Sequence, residues 1–194
     1  MPLEILLAKN RFVLVRQLSK GWTSFVYLCK DASGREVVVK VLREKSNRRD
    51  MARRETENLK IANLAGVGPR WLFTDFENDA VSMEYVDGGP FSRWLEKRPS
   101  RPELVKFLNA LYSQARALDN IGLDHGQLAG RGCNILVRSG LPVIIDFEKA
   151  STKRKVHNKK VLDSFLFKSP GSKVVKAVRE VLGGDKKKGP WAKT

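Results

Sequence analysis

The segment Glu36-Val37-Val38-Val39-Lys40-Val41-Leu42 constrains this chain more than any other. It is too short for a helix of useful length and rich in β-branched residues, so it reads as a strand. Its apolar residues are consecutive rather than alternating, so both faces of that strand must be covered. A lysine in such a strand has its ammonium drawn out of water, and it needs an anion brought to it by a neighbouring element. The residues before it complete a sheet. Phe12-Val13-Leu14-Val15 leads into a polar break around Gly21, a second strand runs over residues 25–29, and Asp31-Ala32-Ser33-Gly34 forms a turn back. The pattern is an antiparallel meander.

The anion is in the next element. Residues 46–65 read as a helix stopped by Gly66, with Met51, Glu55, Leu59 and Ala62 recurring on one face. Glu55 therefore shares the face that Met51 and Leu59 bury, whereas Glu57 points to solvent. The economical pairing is Lys40 with Glu55. Gly68-Pro69 breaks the chain before two more strands at 71–73 and 80–86. The cluster Asp87-Gly88-Gly89-Pro90 divides an N-terminal unit, 1–86, from a second unit, 87–182. In the second unit a short helix is expected at 91–97. Ser100-Arg101-Pro102-Glu103 then has capping-box spacing and opens a helix whose apolar stripe runs through Leu104, Phe107, Leu108, Leu111, Ala115 and Leu118. Two short strands, 134–137 and 143–147, and two further helices follow. Residues 183–194, rich in Lys and Gly, read as a basic flexible tail. The fold class is α+β.

Composition narrows the function. Two cysteines, Cys29 and Cys133, make no disulfide framework and no metal quartet, so a reducing, cytoplasmic compartment is expected, and with only His125 and His157 a zinc site is not expected. No apolar run approaches the length of a membrane span, and residues 1–12 lack the pattern of a secretory leader. The charge is lopsided: 37 Lys and Arg stand against 21 acids in the whole chain, and 14 against three from Lys149 onward. That asymmetry points to a polyanionic partner such as RNA, DNA or a ribosome, met through the basic C-terminal region.

A second group carries the chemistry. Asp146 follows the buried run Ile144-Ile145, and Asn134 precedes the partner strand of the same hairpin. An amide oxygen beside a carboxylate gives two hard oxygen ligands, which suit magnesium on a nucleotide phosphate. Gly21, between the first two strands, lets backbone amides approach such phosphates closely.

In chain order these residues read as glycine loop, strand Lys, helix Glu, hinge, long helix, Asn and Asp, and in that order the chain resembles a small protein-kinase-like protein. Phe25-Val26-Tyr27 follows the glycine loop, Met83-Glu84-Tyr85-Val86-Asp87-Gly88-Gly89 resembles a kinase hinge with Met83 as gatekeeper, and Asn134-Ile135-Leu136-Val137 and Ile145-Asp146-Phe147-Glu148 resemble the catalytic-loop and metal-binding motifs. Only 48 residues follow Asp146, and Arg53-Arg54-Glu55 with Ala65-Gly66-Val67-Gly68-Pro69 resembles the compact atypical kinases, namely RIO kinases and the kinase subunit of the KEOPS tRNA-modification complex. The resemblance implies a two-lobe fold: an N-lobe of antiparallel sheet with one helix, and a reduced, mainly helical C-lobe. It implies ATP and magnesium as cofactors and transfer of the γ-phosphate to Ser or Thr, the chain's own included. Lys40, held by Glu55, would clamp the α/β-phosphates. Asn134 and Asp146 would bind the metal, backbone groups of Glu84 and Val86 the adenine edge, and Val26, Val38 and Leu136 its ring.

The pattern breaks at the catalytic base. Kinases carry an Asp in a His-x-Asp triplet five residues before the metal-binding Asn, a position occupied here by Ala129. Aligning on His125-Gly126 instead puts Gln127 in the Asp position with two extra residues in the loop, and Asp124 is the nearest carboxylate. A nucleotide-binding pseudokinase or ATPase attached to RNA or the ribosome is therefore the alternative. A small-molecule kinase of the choline or aminoglycoside type is the second, weakened by the short C-lobe.

Overall fold

The computed structural model describes residues 3–43, 50–129, 132–169 and 171–183. An antiparallel sheet of five strands, β1 (Val13–Lys20), β2 (Ser24–Lys30), β3 (Glu36–Leu42), β4 (Trp71–Asp75) and β5 (Ala80–Glu84), has the order β1-β2-β3-β5-β4. The meander expected for the first three strands is present, with Val26 opposite Lys40 and Tyr27 opposite Val39. Strand β1 continues to Lys20, past the expected end at Val15, which shortens the loop before β2 to Gly21-Trp22-Thr23.

Why β3 is apolar on both sides is now plain. Its odd-numbered residues Val37 and Val39 pack with Tyr27, Cys29 and Ala80 under the N-terminal helix α1 (Leu3–Lys9), through Leu6 and Leu7. Residues 3–9 show only a short apolar patch in the sequence, and about two turns of helix is too little for periodicity to register. The even-numbered residues Val38, Lys40 and Leu42 face the other way, toward helix α2 (Met51–Leu64) and the rest of the molecule. Residues 44–49, which include the expected start of α2 at 46–49, lie outside the described residues. From Met51 the helix presents Met51, Glu55, Leu59 and Ala62 to the interior as its spacing requires, and Glu57 is exposed. Asp79, in the β4–β5 turn, accepts the Met51 and Ala52 N–H groups and so satisfies the helix start.

The mainly helical second lobe begins at β6 (Gly89–Pro90) and α3 (Phe91–Glu96) and is built around α4 (Arg101–Asn120). The capping box is formed: the Ser100 hydroxyl accepts the Glu103 N–H, and the Glu103 carboxylate accepts the Ser100 N–H at 2.7 Å. Leu104, Phe107, Leu108, Leu111, Ala115 and Leu118 are all buried, and the Phe107 ring stacks on Phe91 at 4.9 Å. Strands β7 (Ile135–Arg138) and β8 (Leu141–Ile144) form the expected hairpin, paired on its outer side with β6. Helix α5 (Asn158–Asp163) runs directly into a π-helical turn, Ser164–Lys168, and α6 (Lys173–Leu182) ends at Gly183 in the left-handed conformation. The expected flexible tail lies, from residue 184 onward, outside the described residues. Among the described residues no helix is long and apolar enough to cross a membrane.

The linker from α2 to β4 separates two kinds of glycine. Gly66 and Gly68 both have positive φ, 69° and 84°, but a Cβ on Gly66 meets open space whereas one on Gly68 would lie 2.8 Å from the Phe147 ring. Gly66→Ala is expected to cost about 1 kcal/mol from backbone strain alone. Gly68→Ala adds a clash inside the core and is expected to cost about 1–3 kcal/mol more. Urea denaturation of both variants checks the difference; equal losses would refute the contact with Phe147.

Candidate active site

Lys40 is 7 % exposed and Glu55 1 %, and the Lys40 Nζ donates to Glu55 Oε2 at 2.7 Å. The expected pair is formed, with strand and helix each supplying one partner. The same ammonium donates to Asp146 Oδ1 at 2.7 Å and lies 3.8 Å from Glu148 Oε2, so three carboxylates converge on one lysine. Burial alone would lower the Lys40 pKa, yet Glu55 and Asp146 hold it above the usual lysine range. Burial raises the Glu55 carboxyl, with the Asp146 charge adding to it and Lys40 and the Phe147 N–H opposing it. Burial also works to raise Asp146, but Lys40 outweighs it and holds this carboxyl below its ordinary value.

The segment after β8 is fixed from both sides. Glu55 Oε1 accepts the Phe147 N–H at 2.8 Å, and Asn58, one helical turn on, donates from its amide to the carbonyls of Phe147 and Ala150. The Phe147 ring packs against His125, 4.9 Å between centroids. Asp146 itself has φ 68°, a left-handed conformation that for a non-glycine residue is stored strain of the sort found at functional sites. Its side chain is 36 % exposed, and its second oxygen has no partner among the described residues.

The loop before β7 is built around His125. Burial lowers the pKa of this ring and keeps it neutral, so Nε2–H donates to the Ile145 carbonyl at 3.0 Å while Nδ1 accepts the Gln127 N–H. Asn134 Nδ2 donates to the Gln127 carbonyl at 2.8 Å, which fixes the amide and leaves its Oδ1 without a partner among the described residues. The Ile145 N–H donates to the Asn134 carbonyl, placing Asn134 beside the residue that precedes Asp146. Gln127 is exposed. Asp124, by contrast, is 2 % exposed and turned away into an ion pair with Arg154 at 3.0 Å, with His157 Nδ1 at 3.4 Å.

The remaining expected residues lie on the sheet, on the connection after β5 and on β7. Pairing of Val26 with Lys40 and of Val38 with Met83 puts all four side chains on one sheet face, and Val26 and Val38 are only half-buried, as is Leu136 on β7. Met83 and Val86 are buried at the connection between the lobes, and the Glu84 carboxylate accepts Arg138 Nη1 at 2.6 Å, tying that connection to β7. Gly21 is exposed at the loop between β1 and β2, its carbonyl accepting Arg43 Nη1.

Sequence reasoning missed Glu148 and Asn58 as parts of this site. Glu148 lies two residues beyond Asp146 and accepts from Thr23 of the β1–β2 loop at 3.3 Å, a cross-lobe contact that no local pattern encodes. Asn58 carried a usable signal, since it falls three residues after Glu55 on the same helical face.

Among the described residues no cluster of three or more His, Cys, Asp or Glu side chains forms a metal cage. The donors that do remain open, one oxygen each of Asp146 and Asn134, fit a cation that keeps most of its ligands as water and phosphate, as magnesium does. A RIO domain model matches residues 27–164. The KEOPS complex subunit Bud32 of Pyrococcus abyssi is 32 % identical over 101 residues, a match covering 52 % of this chain and 44 % of that protein, so the chain matches less than half the length of this relative.

Replacing Lys40 by Met strands Glu55 in the core and is expected to cost about 3–5 kcal/mol at pH 8. In that variant the Glu55 pKa rises above its unfolded value, so the penalty belongs to the ionised form and shrinks as pH falls through the folded pKa. Urea midpoints of wild type and Lys40→Met at pH 8 and pH 5 test this. A gap that fails to narrow at pH 5 contradicts the ion-pair account.

Proposed function

The chain belongs to the RIO domain family, and on that footing we propose that it binds ATP with magnesium beneath the five-stranded sheet and transfers the γ-phosphate to a Ser or Thr hydroxyl of a protein, its own included. The observation that carries this reading is the convergence of Lys40, Glu55 and Asp146, with open oxygens on Asp146 and Asn134. Lys40 clamps the α/β-phosphates and Glu55 sets its position. Asp146 and Asn134 hold the metal, which supplies charge neutralisation on the phosphates. Glu84 and Val86 take the adenine edge by backbone groups, Val26, Val38 and Leu136 cover the ring, and Met83 closes the back of the site. Gly21 leaves room for the backbone to lie close to the phosphates.

Gln127 occupies the position of the missing base in this reading, a placement supported by the Asn134 amide on its carbonyl. A neutral amide orients the attacking hydroxyl and accepts no proton, so transfer is slow. Asp124, engaged by Arg154, acts in holding the loop rather than as a base. The absent carboxylate also favours a second reading, in which water is the acceptor and the protein is an ATPase. The surroundings are a reducing cytoplasm, and the basic C-terminal third meets a polyanion of the RNA kind.

Incubation with magnesium and γ-labelled ATP separates the readings: label on protein marks a kinase, and free phosphate alone marks an ATPase. Asp146→Ala is expected to abolish either product. Gln127→Asp is expected to raise transfer at least about tenfold, given that a general base contributes roughly 10²–10⁴-fold. An Asp146→Ala variant as active as wild type would sink the assignment.

A further inference from the structure

A groove of about 1030 Å³ opens on the second lobe, between the end of α4, the segment 154–157, α5 and the π-helical turn. Its lining is basic: Arg154, Lys155, Lys159 and Lys160 against Asp119 and Asp163. Both acids are already engaged inside the protein. Asp119 accepts the N–H groups of Asn158 and Lys159 and the Asn158 amide, and Asp163 accepts the Tyr112 hydroxyl at 2.6 Å. Arg154 is held by Asp124. Lys155, Lys159 and Lys160 are exposed and have no carboxylate partner among the described residues. Among the described residues the groove thus carries three lysines without an ion-pair partner and a net positive lining, over a floor that includes Val156, Val161 and the half-buried ring of Phe165.

The groove is anchored to the candidate active site. Asn158, buried at the start of α5, accepts the His125 N–H at 2.9 Å and donates to the Leu123 carbonyl, so the helix carrying Lys159 and Lys160 is fixed to the loop that carries Gln127. Ala129, two residues past Gln127, lines the groove itself. π-helical turns of the kind that forms its far wall recur at functional sites.

We propose that this groove binds single-stranded nucleic acid, with Lys155, Lys159 and Lys160 on the phosphate backbone and Phe165 with its apolar neighbours against the bases. Cations along a groove with an aromatic floor are what unpaired strands require: evenly spaced phosphates meet the lysines, and exposed base faces meet the ring. A second copy of this chain is repelled, since the chain carries a formal charge of +16. The volume exceeds what a single phosphate fills, so a stretch of polymer is the fitting occupant. That the bound strand lies beside the phosphate acceptor rests on the kinase reading above; the binding itself does not.

The test is fluorescence anisotropy of the full chain with labelled oligo(U) RNA and oligo(dT) DNA over a range of salt, beside a blunt duplex and a poly-glutamate peptide of equal charge. Wild type is expected to bind one or both single strands more tightly than duplex or peptide. Lys155→Glu with Lys159→Glu and Lys160→Glu is expected to weaken that binding roughly 10- to 100-fold and to flatten its salt dependence by about two, since each phosphate contact on a single strand contributes about 0.7 to the slope. Thermal melting of the triple variant checks that it remains folded. Asp146→Ala is expected to keep full strand affinity, so loss of phosphate transfer and loss of strand binding are separable failures. Strand affinity unchanged in the folded triple variant, no strand binding at all, or equal binding of duplex or peptide would overturn the proposal.

Discussion

A lysine and a glutamate that have both left water can coexist only if they find each other, and the architecture of the first lobe follows from that requirement. Lys40 on β3 and Glu55 on α2 meet at 2.7 Å behind a sheet whose outer face is sealed by α1. Removing Lys40 leaves the Glu55 charge buried with only the Phe147 N–H beside it, so strand register and helix rotation are both constrained by one pair. The pair adds little net stability. Its value is that it places an ammonium at a fixed point under the sheet.

The second lobe is tied to that point rather than merely stacked on it. Glu55 uses its other oxygen on the Phe147 N–H, Asn58 holds the carbonyls of Phe147 and Ala150, and Thr23 reaches Glu148 from the β1–β2 loop. Asp146 is thereby held in a strained backbone conformation with one oxygen on Lys40 and one open. Gly68 belongs to the same assembly, because only a residue without Cβ leaves space for the Phe147 ring. The open oxygen of Asp146 arises from this bracing and that of Asn134 from its amide being fixed on the Gln127 carbonyl, which is why loss of packing several residues away would disturb the site.

Lys40, Glu55 and Asp146 were legible in the sequence because each is a charge out of place: a lysine in an apolar strand, a glutamate on an apolar helix face, an aspartate ending a buried strand. The long helix α4 was legible through its capping box and stripe. Helix α1 was not, being too short for its period to show, and β1 extended further than its apolar residues because its exposed side chains carry no pattern. Glu148 escaped notice because its partners come from distant elements. Asp124 looked available by proximity in the chain, yet burial beside Arg154 gave it a different partner. Local sequence encodes which residues must be buried, whereas the match between two buried polar groups far apart in the chain appears only in the folded structure.

In the function proposed above, Lys40, Asp146 and Asn134 form a site for nucleotide bound to magnesium. Isothermal titration with a non-hydrolysable ATP analogue, with and without magnesium, addresses it most directly when run on wild type and Asp146→Asn. Magnesium is expected to tighten binding at least about tenfold in wild type, and Asp146→Asn is expected to lose this gain, since one direct carboxylate ligand is removed. Equal affinity with and without the metal in wild type, or no nucleotide binding at all, would contradict it.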